Sequence, residues 1–175
     1  MQIDDLIESC KKNDRLAQKE LYQRYAAKMM AVCMRYMKNR EDAEEVVLTG
    51  MYKVLKNINQ YSGIGHFEGW IKRIMVNEAL MALRKNKLRF VEIDLAERIK
   101  SEEVNIIEEM QFSDVRALLD KLPMGYRTIF NLYVIEGYKH REISELLGIS
   151  INTSKSQLIL AKSKLRKMMK AKDKE

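Results

Sequence analysis

Ala43, Val46, Val47, Gly50, Met51, Val54, Leu55 and Ile58 return at intervals of three and four. Only an amphipathic α-helix lays such a set along one face through four turns. Upstream, Leu21, Tyr25, Met29, Val32, Cys33 and Tyr36 keep the same spacing until the polar break "KNRED". Downstream, Phe67, Trp70, Ile71, Ile74 and Met75 begin another such helix, which ends near "RKNK". Between these helices lies "NINQYSGIGH", whose two glycines mark a loop. Strand alternation and internal repeats are absent from the pattern. A single proline in 175 residues leaves the helical runs unbroken. The pattern predicts an all-α chain.

Residues 1–88 read as one helical domain. From Phe90 to Met110 no period is sustained, and seven acids stand against Arg98 and Lys100. A flexible acidic linker is therefore predicted over residues 89–110. A second helical domain is predicted over residues 111–175, with Pro123 where a helix begins and Gly137 where it ends. The expected architecture is two small helical domains joined by that linker.

Composition narrows the function. With 46% hydrophobic and 33% charged residues, the chain has the make-up of a globular protein. Apolar runs fall short of the ~18 residues of a membrane span, so no membrane insertion is expected. The start "MQIDDLIESC" lacks the basic head and apolar centre of an export signal, which makes the cytoplasm the expected location. Cys10 and Cys33 are too few and too far apart for a zinc cluster, and Cys33 reads as a core thiol. His66 and His140 are the only histidines, and neither a phosphate-cradling glycine loop nor a nucleophile elbow is present. No metal, no cofactor and no enzymatic activity are expected.

The net charge of +7 and a pI near 9.3 point to a polyanion. Eight basic residues lie from Lys155 onward, against Asp173 and Glu175, and six lie between Ile71 and Arg89, against Glu78. Two basic faces bracket the acidic joint.

The segment "YKHREISELLGISINTSKSQL" has the pattern of a helix-turn-helix. Ile143 and Leu147 bury one face of the first helix, small Ser144 lets the second approach, and Gly148 supplies the turn. Ile149 and Leu158 anchor the second helix. Ser150 suits an N-cap, which leaves Asn152, Thr153, Lys155 and Ser156 on exposed early turns. Those turns of a recognition helix meet base edges and phosphates. Amides and hydroxyls can read bases, while lysines hold the backbone and make binding salt-dependent. The polyanion is expected to be DNA.

The stretch from "ALLDKLPMGYRTIF" to "SKLRK" resembles the C-terminal domain of extracytoplasmic-function sigma factors of bacterial RNA polymerase. The N-terminal stretches "ELYQRYAAKMMAVCMRYMKNREDAEEVV" and "GHFEGWIKRIMVNEALMALRK" resemble the core domain of the same family. Together the resemblances span nearly the whole chain in the family's order. They imply a sigma factor that binds core RNA polymerase and directs promoter-specific initiation. The implied partners are the β′ clamp helices and β flap of the polymerase, promoter DNA and an anti-sigma factor.

The resemblance also implies sites. Asn152, Thr153, Lys155, Ser156, Ile159 and Lys162 would contact the upstream promoter element as duplex. Tyr61, Ser62, Gly63, His66 and Trp70 would capture a flipped base of the downstream element. The loop has suitable materials: a flexible backbone and the ring faces of Tyr61 and His66. Trp70 shares the apolar period of its helix and reads first as a packing residue. Lys72, Arg73, Asn77 and Arg84 would follow the opened strand. Asp42, Glu44, Glu45, Leu48, Thr49 and Tyr52 would meet the polymerase. The linker's 21 residues from Phe90, extended, reach roughly 70 Å. That is about 20 base pairs at ~3.4 Å each, enough for one chain to touch two promoter elements.

The chain departs from many relatives at four positions. Ile151 stands where an acid is frequent and Leu160 where arginine is frequent; Leu48 and Thr49 replace glutamine and glutamate. Two further readings stand beside the sigma factor: a stand-alone helix-turn-helix regulator with a sensing or dimerising N-terminal domain, and a structural helical protein with an acidic partner.

Overall fold

The computed structural model describes residues 2–85 and 117–172, and every regular element among them is helical. The chain divides into two units, Met1–Asn86 and Lys87–Glu175. The acidic linker over 89–110 and the expected start of the second helical domain near Gln111 lie outside the described residues.

The first unit holds α1 (Ile3–Lys11), α2 (Arg15–Cys33), α3 (Arg40–Lys56) and α4 (Phe67–Lys85), with a 3-10 turn at Ile58–Gln60. Local chemistry sets the boundaries. The Asp14 carboxylate accepts the backbone N–H groups of Leu16 (2.8 Å) and Ala17 (3.1 Å) at the start of α2. Asn39 Oδ1 accepts the Asp42 N–H at 2.8 Å, so α3 starts inside "KNRED", whose last three residues form its first turn. The polar break is shorter than its composition suggests because its own asparagine caps the next helix. Likewise α3 stops at Lys56, two residues before the apolar period ends, and buried Ile58 packs from the 3-10 turn.

Helices α2, α3 and α4 pack against one another, and α1 packs on α2. Leu21, Cys33, Val54, Ile71 and Met75 lie at the centre, each without exposure. Burying such a side chain contributes about 1.5–3 kcal/mol. Leu55, counted by its spacing with the buried face, is half-buried. Gly50 permits the closest approach of α4 to α3. A β-carbon there would collide with Met75 Sδ and lie 2.8 Å from Met75 Cε. Beside this contact Glu78 is buried and takes a 2.6 Å ion pair from Lys53 on α3. The one acid of the basic block from 71 to 89 thus ties α4 to α3. Burial pushes the Cys33 thiol up to about 12, so it is a packing group and not a nucleophile at neutral pH.

The described residues of the second unit include helical residues 117–120, α5 (Met124–Phe130), α6 (His140–Leu147) and α7 (Ile151–Lys172). Pro123 immediately precedes α5, and the helical path continues as a π-helical segment over Asn131–Ile135. Gly137, at φ 78°, ends it. Both α5 and α6 pack on α7. Ile143, Leu147, Leu158, Ala161 and Leu165 form the core between them. Gly148 turns the chain in the left-handed region at φ 66° and ψ 37°, and Ser150 Oγ caps α7 by accepting the Thr153 N–H at 2.9 Å. Ile149, expected as an anchor, is half-buried. No helix among the described residues is long and apolar enough to cross a membrane.

Candidate nucleic-acid interfaces

The loop between α3 and α4 is held by its own side chains. Gly63 and Gly65 adopt φ 77° and 81°, which an L side chain would strain. The Tyr61 hydroxyl donates to the Gly65 carbonyl at 2.6 Å and closes the loop. Ser62, Gly63, Ile64, Gly65 and His66 are all exposed. The His66 carbonyl accepts the Gly69 and Trp70 N–H groups, which places its ring at the head of α4.

Under the loop lies an aromatic cluster. The Phe67 ring is 5.0 Å from Tyr61, 5.6 Å from Trp70 and 5.8 Å from Tyr25, and Tyr61 is 5.6 Å from Trp70. Phe67 is buried, whereas Tyr61 and Trp70 are half-buried. Trp70 therefore packs, as its spacing predicts, yet keeps part of its surface open beside Tyr61. Arg73, Asn77 and Arg84 fall within about 40° on α4, at 100° per residue. Arg73 and Arg84 are exposed; Asn77 and Lys72 are half-buried. The arrangement offers ring faces and a cationic stripe next to each other, the materials that hold single-stranded nucleic acid.

Helical spacing does not single out Ile64. It is 85% exposed at the loop tip, beyond any other large apolar side chain among the described residues. An isoleucine between two glycines, outside any helical period, is the signal that could have found it.

On α7 the helical phase separates the expected contact residues. Asn152, Lys155, Ile159 and Lys162 share a stripe about 80° wide. Asn152 and Lys155 are exposed, while Ile159 and Lys162 are half-buried. Thr153 and Ser156 depart from the expectation of exposure, since each retains only 6%. Thr153 Oγ1 lies 2.8 Å from the capping Ser150 Oγ, and the Ser156 hydroxyl donates to the Thr153 carbonyl at 3.1 Å. Their hydroxyls serve the helix itself, leaving the amide and the lysine to face outward.

The outer face of α3 carries the third group. Leu48 is 59% and Tyr52 65% exposed, four residues apart on one side. Glu44, Glu45 and Thr49 are exposed and Asp42 is half-buried. Glu44 pairs with Arg40 at 2.7 Å. Asp42, Glu45 and Thr49 also wall an open groove of about 480 Å³ between α3 and α4, with Met81 and Lys85 opposite.

Comparisons with known proteins cover the regions that carry these surfaces. The family described as Sigma-70 region 2 matches residues 21–89, and Sigma-70, region 4 matches residues 112–165. The chain is 30% identical over 132 residues to RNA polymerase sigma factor SigV of Bacillus subtilis, across 75% of this chain and 78% of that protein. It is 29% identical over 153 residues to ECF RNA polymerase sigma factor SigE of Mycolicibacterium smegmatis, covering 84% of this chain and 59% of that longer protein. In fold it is similar to the sigma factor RpoE of Bartonella quintana, solved in complex with the anti-sigma factor NepR. That likeness has a TM-score of 0.52 at 18% identity, over 87% of this chain and 96% of RpoE.

Proposed function

The chain belongs to the extracytoplasmic-function sigma factors of bacterial RNA polymerase, and from that membership we propose how its two units divide the work of starting transcription. As an RNA polymerase sigma factor it works with core polymerase and promoter DNA. The C-terminal unit reads the upstream element as duplex. Asn152 meets base edges in the major groove, and Lys155 and Lys162 hold the phosphates on either side. Ile159, on the same stripe, adds apolar contact.

The N-terminal unit acts on the downstream element after it opens. Tyr61, His66 and Trp70 stack on an unpaired base, Ser62 and Gly63 let the backbone come close, and Lys72, Arg73, Asn77 and Arg84 follow the strand. The stripe of Leu48, Thr49 and Tyr52, with Asp42, Glu44 and Glu45, meets the β′ clamp helices. An apolar contact there replaces part of the polar one that many relatives make. The protein is a regulator with no reaction of its own, and its place of work is the cytoplasm. An anti-sigma factor is its expected antagonist, as NepR is the partner in the RpoE complex.

One observation carries this reading. A loop with open ring faces and a recognition helix with an outward amide-and-lysine stripe occur in one chain. A stand-alone helix-turn-helix regulator has use for the second alone. Transcription with purified core polymerase is the test. Initiation from a defined start only when this chain is added is expected. Duplex binding without initiation would return the chain to the stand-alone reading.

A further inference from the structure

Ile143, Leu147 and Leu158 are buried where α6 packs on α7, and such apolar contact is non-directional. A directional polar contact adds a constraint on how α7 is turned about its own axis. His140, the first residue of α6, brings Nδ1 to 2.9 Å from Oγ of Ser154 on α7. Ser154 has no exposure, so water does not compete for the bond. The Tyr133 ring stacks on the imidazole at 4.4 Å and 23°. The imidazole is thus held on one face by the π-helical segment and at one edge by α7. Lys155 directly follows Ser154, so a rotation that broke this bond would swing Lys155 off the outward stripe.

The ring also sits in a positive field. Lys155 and Lys162 act on it from α7. On its own helix, Arg141 pairs with Glu145 at 3.4 Å, and Glu142 accepts the Lys139 N–H at 2.7 Å. Burial first, then the two lysines, push the imidazole below the ordinary histidine value of 6.5, so the ring is neutral in the free protein at pH 7. Phosphates that settle on those lysines offset their repulsion and favour a proton on the ring.

We propose that His140 is a positioning residue for duplex contact, and that duplex binding at α7 draws a proton onto its ring. The proposal rests on the reading of α7 as the helix that contacts duplex DNA. Either form of the ring keeps the Ser154 bond, because Nδ1 can accept from the hydroxyl or donate to it. What changes is the charge offered to the phosphates. Affinity must then rise as pH falls, by at most about tenfold per pH unit for one proton.

The test uses holoenzyme assembled with core polymerase and a promoter duplex selected from a randomised library with the wild-type protein. Affinity is followed by fluorescence anisotropy at constant salt, between about pH 6 and pH 8. His140→Ala is expected to weaken binding about tenfold at the upper pH, the scale of one lost buried hydrogen bond. His140→Asn carries an amide atom where Nδ1 sits. It is expected to restore binding at that pH to within about threefold, and to lose the tightening that wild type shows in acid. Full binding by His140→Ala, or an Asn variant that follows the wild-type pH profile, overturns the proposal. Should the Ala variant not fold, the pH profile of the Asn variant decides alone. Failure of the underlying reading looks different: Lys155→Glu would then bind as wild type at every pH.

Discussion

The loop of the N-terminal unit and the head of α7 are both rich in small residues, yet they present their side chains differently. From Ser62 to His66 every residue is exposed, because two left-handed glycines carry the backbone where nothing lies within 4 Å of an added β-carbon. At the head of α7 the helical period sorts the side chains. Asn152 and Lys155 face out, and the hydroxyls of Thr153 and Ser156 turn back to their own backbone and cap. In a glycine loop, composition predicts what is displayed. In a helix only phase does.

Reversing the charge at the head of α7 tests that contrast with the largest effect. Lys155→Glu is expected to cost about 2–3 kcal/mol of duplex binding, since the proposed phosphate contact becomes a repulsion. Its melting temperature should stay at the wild-type value because the side chain is exposed. Transcription from a promoter that depends on its upstream element reads the loss. Wild-type output would remove α7 from the duplex.

The matching change in the loop is Tyr61→Ala with His66→Ala. Loss of stacking should weaken strand opening by about 1–3 kcal/mol per base released, and duplex binding should hold. Permanganate footprinting on an intact and on a pre-melted promoter separates the two steps. Opening that stays impaired on the pre-melted template, together with an equal loss of duplex binding, would argue against base capture. Tyr61→Phe keeps the ring and removes only the bond to the Gly65 carbonyl, so its loss should be nearer 1 kcal/mol.

Outside both proposed nucleic-acid surfaces, Leu48→Asp is expected to weaken core-polymerase binding by about 1–2 kcal/mol. Its 59% exposure means thermal stability should not fall. Wild-type affinity in a pull-down titration would leave Leu48 an incidental surface residue.

The inward hydroxyls sharpen the comparison from the other side. Ser156→Ala should lower stability by about 0.5–1 kcal/mol and leave promoter preference unchanged, whereas Asn152→Ala should relax preference without changing the melting temperature. A selection for bound sequences, run beside thermal melts, distinguishes the pair.

The smallest effect concerns acid. The folded-state value of His140 lies below 6.5, so between the two values the unfolded chain binds more protons than the folded one. Stability from this group is complete above 6.5 and declines as pH falls toward the folded-state value. His140→Asn should therefore flatten the acid limb of the melting temperature. An unchanged limb would show that the ring is as free to charge in the fold as outside it.

Much of the architecture was legible in the chain. The stripe from Ala43 to Met51 lies inside because a 3.6-residue period needs no partner to be read. The turn at Gly148 and the cap at Ser150 were equally plain, as each acts within a few residues of itself. Leu55 was not: it shares the period but is only half-buried. Residue type alone places Thr153 and Ser156 outside, whereas their angle on α7 turns them in. Ile64 carries no such signal, because an apolar residue in a loop belongs to no period.

The residues alone thus determined the all-helical class, the glycine loop, the helix-turn-helix and the lysine at its head, since all of these follow from spacing along a few turns. Tertiary structure decided which atoms meet across them. Lys53 and Glu78 pair from 25 residues apart, and His140 reaches Ser154 across 14. Such contacts depend on how two helices are rotated against each other. That rotation is set by the whole interface, apolar and polar together, and is encoded in no single stretch of chain.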